Sequence, residues 1–165
     1  MDSLKVHQLL NYYPAIGMVL GALLLAFGLA RSSESARRYG LRLVFAVALL
    51  TLVVVFTGEF ASWDTALYQG TRGEALAQHK MMATVAFAIV ETAGIAALIA
   101  LLRSGRDGRN GRVAAMAAFA LTIVASVLLV TVIFRGRHVK WAVIDPRPQP
   151  AVVRSIEMEK QLWHA

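Results

Sequence analysis

The chain has 165 residues, of which 58% are hydrophobic and 16% are charged, and it contains no cysteine. So apolar a composition leaves too little polar surface for a soluble domain of this length, and the lack of cysteine excludes an iron–sulfur cluster bound through thiolates of this chain. The formal net charge of +7 would suit nucleic acid, but the basic residues gather at the connections between apolar stretches, which argues against a nucleic-acid partner.

Four apolar stretches account for most of the chain, at residues 12–30, 43–60, 81–102 and 113–134. Each is close to the roughly 20 residues that a helix needs to cross a bilayer core of about 30 Å. Backbone groups in lipid must be satisfied within the segment, so uninterrupted runs of this length predict helices and not barrel strands. We therefore predict an all-α, integral-membrane four-helix bundle with up-and-down topology, in which the lipid bilayer is the main partner.

The domain organisation follows from these stretches. Residues 1–134 form one transmembrane domain, and residues 135–165 form an extramembrane tail. The tail is rich in proline at 145–150, which favours extended backbone, and residues 151–163 can form a short helix. Such a segment has too little apolar content for a core of its own, so we expect it to order on other membrane or periplasmic subunits.

The arginines predict the orientation of the bundle. Eight of them lie in or beside the first and third connections, at positions 31, 37, 38, 42, 103, 106, 109 and 112. Short loops rich in lysine and arginine stay in the cytoplasm. We therefore expect a multi-pass protein of the bacterial inner membrane with both termini outside, although the basic residues of the tail run mildly against the rule.

The first stretch requires a separate decision, because small residues before Arg31 imitate the cleavage site of a signal peptide. Arginines at the stop-transfer position and the length of the stretch predict that it is retained as a span.

Three polar residues end up on the outer side in this topology. His7 precedes the first span, Glu59 ends the second, and His79 precedes the third. A histidine at a membrane boundary is usually a hydrogen-bonded surface residue, but two on one face, on spans that can be neighbours, also suit ligands. The remaining histidines, His138 and His164, fall in the tail and are expected to be solvated.

Small residues make one side of the first span smooth. His7, Pro14, Gly21 and Gly28 recur every seven residues, which returns nearly to the same direction on a helix. Such a stripe permits close packing of another helix, which we favour, or of a flat ring system.

Glu91 lies near the middle of the third span, where a lone carboxylate is costly and suggests a buried role. We expect it to face other helices in a protonated or hydrogen-bonded state, with Thr92 as a possible partner, either as a structural donor or as a proton relay.

The segment His7-Gln-Leu-Leu-Asn-Tyr-Tyr-Pro14 resembles the start of an uncharacterised family of small four-helix bacterial membrane proteins, whose first span opens His-Pro-x-x-x-His-Phe-Pro. Gly58 and Glu59 resemble the end of the family's second span, and His79 the start of its third. Two positions depart from the pattern, because Gln8 replaces the proline and Tyr12 replaces the second histidine. The family in turn resembles b-type cytochromes in helix count and histidine placement.

Three functions remain open at this stage. His7 and His79 could be the axial ligands of one b-type haem in an electron-transfer complex. The chain could instead be a cofactor-free subunit that anchors a larger membrane complex. Alternatively, His7, Glu59 and His79 could bind zinc, iron or a quinone headgroup. No nucleophile with an oriented base is evident, so we do not expect the chain to be an enzyme on its own.

Overall fold

The computed structural model describes residues 7, 9–65, 72–104 and 108–144, with side chains described at 7, 9–58, 77–104 and 111–136. These residues form four long helices and no strand: α1 (Tyr12–Ala30), α2 (Glu34–Thr65), α3 (Arg72–Arg103) and α4 (Gly108–Ile144). The predicted all-α four-helix fold is confirmed.

All four helices are long and apolar enough to cross a membrane. Their candidate spans are 12–30, 34–58, 77–103 and 111–136, which overlap the four predicted stretches. His7 and His79 lie at the same end of the bundle, which is called here the histidine end. Helix α4 continues to Ile144, past the start of the predicted tail at 135, and residues 145–165 lie outside the described residues.

The helices are arranged as a square. Helix α1 packs against α2 and α4, and α3 packs against the same two helices, whereas α1 and α3 lie on a diagonal with no contact between their described residues. The expectation that spans one and three can be neighbours is therefore wrong. Short connections place consecutive helices side by side, so the ring closes between the first and the fourth.

Small residues fill the centre of the bundle. Half of the described buried positions of α3 and α4 are alanine, at 86, 93, 97, 100, 115, 118 and 125. Three hydroxyl side chains are also buried, and those of Thr51, Thr122 and Ser126 each donate to a backbone carbonyl four residues earlier in their own helix. Because these donors are satisfied locally, the interior needs no polar network between helices.

The glycine stripe of α1 is covered by α2. A Cβ atom added to Gly28 would lie 2.6 Å from the backbone nitrogen of Arg37, and one added to Gly21 would lie 2.7 Å from Cγ2 of Val44. The stripe therefore serves helix packing, as favoured from the sequence, and is not an open groove for a ring system.

The first connection is tight and locally capped. Ser32 has a positive φ of 53°, and the backbone N–H of Ala36 donates to Oγ of Ser33 over 3.4 Å. Glu34 pairs with Arg38 one turn later at 2.6 Å. These contacts hold the basic end of the bundle, defined by the first and third connections, opposite the histidine end.

Candidate histidine site

His7 precedes α1 by one helical turn and points back onto α2. Residues 7, 9 and 10 are helical, and the N–H of Asn11 donates to the carbonyl of His7 at 2.9 Å. A Cβ added to Gly58 would lie 2.7 Å from Cε1 of the His7 ring. The imidazole thus lies directly against Gly58 of α2, at the histidine end of the bundle.

A short chain of hydrogen bonds fixes the tautomer of His7. The hydroxyl of Thr57 donates to the carbonyl of Val54 at 2.9 Å, so its oxygen is left to accept from Nδ1–H of His7 over 3.4 Å. With the proton on Nδ1, the neutral ring keeps the lone pair on Nε2. Burial lowers the pKa of His7, while the nearby carbonyl of Val54 opposes this shift, so the ring is neutral at pH 7.

His79 is placed in a similar way on the opposite corner of the same end. It lies in the first turn of the third span, and a Cβ added to Gly136 of α4 would lie 3.0 Å from its Cε1 atom. Its Nδ1 atom is buried and has no hydrogen-bond partner among the described residues. A buried polar nitrogen without a partner is costly, so this atom is an unsatisfied group at the histidine end.

The two histidines are related by the diagonal of the bundle. His7 lies against Gly58 of α2, and His79 lies against Gly136 of α4. Each ring therefore packs against a different neighbouring helix.

The third predicted ligand, Glu59, lies in α2, but its side chain is outside the described side chains. Among the residues that the structure describes, no cluster of three or more histidine, cysteine or acidic residues is arranged to hold a metal ion. The three-ligand metal site predicted from the sequence therefore stays a prediction. The same holds for the tail histidines, since the side chains of His138 and His164 are not described.

Sequence reasoning missed the groups that seat the two rings. Thr57 supplies the hydrogen bond, and Gly58 and Gly136 supply flat backbone surfaces. The available signal was a glycine at the histidine end of α2 and another at the histidine end of α4, each level with a histidine on a neighbouring part of the chain. That correspondence becomes evident only once the neighbours of each helix are known.

Glu91 is half-buried at mid-span. Its Oε1 atom is buried and finds no hydrogen-bond partner in the described part of the chain. The hydroxyl of Thr92 donates instead to the carbonyl of Ala88 at 2.7 Å. The expected hydrogen bond between these neighbours is therefore absent, and Glu91 stands apart from the histidines.

No protein-family model, curated protein or solved structure matches the chain. The resemblance to the uncharacterised four-helix family stays a prediction. The structure therefore defines this protein as a bundle of four helices, each long enough to span a membrane, with two histidines at one end.

The buried position of His7 predicts its titration. We expect an NMR midpoint below the ordinary value of 6.5, assigned by comparison with His7→Gln. Because the folded pKa is the lower one, the unfolded chain takes up the proton first as pH falls. The contribution of neutral His7 to the free energy of unfolding is therefore complete above the unfolded pKa and is lost as the pH falls through the folded pKa. The stability of His7→Gln should not show this decrease in acid. A midpoint above the ordinary value would contradict the burial argument.

The isolation of Glu91 predicts that its negative charge is dispensable for folding. A carboxylate at mid-membrane is unfavourable without a partner, so we expect Glu91→Gln, which is neutral and similar in shape, to insert normally and change stability by about 0.5 kcal/mol or less. Glu91→Lys is the matched control and should insert poorly. Thermal unfolding in detergent measures both variants, and severe loss of folding in Glu91→Gln would show that the charged form is needed.

Proposed function

We propose that this chain is an integral membrane subunit of an electron-transfer complex, and that it binds one b-type haem through His7 and His79 near the outer surface. The observation that carries the proposal is the pairing of two seated imidazoles at one end of the bundle, each against a glycine of a neighbouring helix. Haem iron takes histidine as an axial ligand, and the haem would supply one-electron transfer.

The nitrogen atoms of the two rings suit this role. A ligating histidine normally donates its other ring N–H to a fixed acceptor, which orients the ring. Thr57 provides that acceptor for Nδ1 of His7 and leaves Nε2 for the ligand. The unpartnered Nδ1 of His79 provides a nitrogen from the opposite corner. The role of this chain is to place the two nitrogens and keep His7 neutral, since a protonated imidazole cannot ligate.

An optical spectrum of the purified full-length protein tests the proposal. A reduced-minus-oxidised difference band of the b type supports haem binding. A featureless visible spectrum from protein expressed with an adequate haem supply would reject it. In that case co-purifying subunits would identify the cofactor-free anchoring function, with the tail 135–165 as the contact.

The proposed orientation has its own test. We expect the arginine-rich connections at 31–42 and 103–112 to face the bacterial cytoplasm and both termini to face the periplasm, because the arginines concentrate at the basic end. A C-terminal tag should be accessible to protease in intact spheroplasts, and a tag inserted in the third connection should be protected. Protection of the C-terminal tag until the membrane is opened would reverse the assignment.

A further inference from the structure

The basic end of the bundle carries an open groove between α2 and α3. Its volume is about 410 Å³, and it is lined by Arg38, Arg42, Leu101, Leu102 and Ser104. The candidate second span begins at Glu34 and the candidate third span ends at Arg103, so the groove lies at the basic ends of both spans.

The groove has an excess of positive charge. Arg38 and Arg42 are four residues apart and share one face of α2. Arg38 pairs through Nη2 with Glu34, but its Nε atom is buried without a hydrogen-bond partner. The guanidinium of Arg42 lies 5.9 Å from the ring centroid of Tyr39 and has no ion pair among the described residues. One carboxylate therefore faces two guanidinium groups, and donors remain for an anion.

The opposite wall of the groove is apolar. Leu101 and Leu102 come from the last turn of α3, and Leu102 is 69% exposed. An occupant that matches both walls carries an anionic group beside hydrocarbon chains. Free phosphate satisfies only the arginines, whereas a phospholipid satisfies both walls.

We propose that this groove binds the phosphate of an anionic phospholipid, with Arg38 and Arg42 as donors and an acyl chain along Leu101 and Leu102. Guanidinium groups form paired, charge-assisted hydrogen bonds with phosphate oxygens, and basic pockets between membrane helices are suited to anionic headgroups. Arg42, which has no ion pair among the described residues, keeps its guanidinium donors for the headgroup.

Lipid retention by the full-length protein tests the site. The double variant Arg38→Gln/Arg42→Gln is compared with Arg31→Gln/Arg112→Gln, which removes the same charge from exposed positions of the same end. Native mass spectrometry counts phosphatidylglycerol and phosphatidylcholine retained from mixed micelles. The groove variant should lose about tenfold or more in phosphatidylglycerol affinity, as expected for two arginine contacts. The control should change little, and phosphatidylcholine should be unaffected in both.

A single variant and a competition with inorganic phosphate test the same groove. Arg42→Gln alone leaves the pair between Arg38 and Glu34 intact and should still weaken phosphatidylglycerol retention, which covers misfolding of the double variant. Inorganic phosphate is added as a competitor and should displace the lipid poorly. Equal losses of phosphatidylglycerol retention in the groove and control variants would show that the lipid is held by the general positive charge of this end and not by the groove. Ready displacement by phosphate would make the groove a free-anion site, and either result overturns the proposal.

Discussion

Replacing His79 by alanine is expected to abolish the b-type difference spectrum of the purified protein, and replacing His7 by alanine is expected to do the same. Each ring supplies one of two axial nitrogens, so neither variant retains the pair that holds the iron. Reduced-minus-oxidised spectra at equal protein concentration measure the loss. His164→Ala, which removes a histidine of the tail, is the matched control and should keep the full band.

The loss of the difference band identifies a ligand only if the alanine variants remain folded. Each ring is seated against a glycine and not inside the alanine core, so both alanine variants should elute as monodisperse protein and keep their helical circular dichroism. A band that survives both substitutions would remove His7 and His79 as ligands. The anchoring function would then take the place of the haem proposal.

The glycines beneath the rings provide a graded version of this test. A methyl group at Gly58 would lie 2.7 Å from Cε1 of His7, whereas one at Gly136 would lie 3.0 Å from Cε1 of His79. Gly58→Ala must therefore displace its imidazole further than Gly136→Ala does. We expect the former to broaden or weaken the band more than the latter, although neither removes a ligand. Equal, wild-type spectra for both would show that the glycines do not position the rings.

The spans could be predicted from the sequence because lipid imposes a simple rule on them. An apolar run of bilayer length has no alternative to a helix when every backbone group must bond within its own segment. Short basic connections then fix the up-and-down order, since a three-residue link at 31–33 can only join neighbours. The location of His7 and His79 at one end follows directly from that order.

The pairing of individual residues could not be predicted in the same way. Sequence spacing places Gly21 and Gly28 on one face of α1, but which helix covers that face depends on the closing contact of the bundle. The tautomer of His7 depends on Thr57, fifty residues away, and on the direction in which that hydroxyl donates. The sequence predicts that Glu91 is protonated or hydrogen-bonded, but no periodicity in its own helix reveals what the neighbouring helix offers.

Gly28→Ala is expected to destabilise the bundle strongly for so small a change. The added Cβ would lie 2.6 Å from the backbone nitrogen and 2.8 Å from Cα of Arg37. Both are backbone atoms, so no side-chain rotation relieves the overlap, and the connection at 31–33 leaves little slack for α1 to move from α2. Overpacking of this kind costs about 1–3 kcal/mol, against which alanine recovers roughly 0.5–1 kcal/mol through its better helix propensity.

Gly111→Ala is the matched control for this substitution. It also introduces one methyl group near a connection, but its nearest neighbour, Cα of Ser104, is 3.3 Å away, so helix propensity can offset the contact. Reversible unfolding in mixed micelles should rank Gly111→Ala close to the wild type and Gly28→Ala well below it. Because the overlap involves the backbone of α2, a larger residue such as Gly28→Val should be worse still. Equal stability of Gly28→Ala and Gly111→Ala would mean that α1 and α2 separate at the basic end without cost, and would contradict the close approach on which their packing depends.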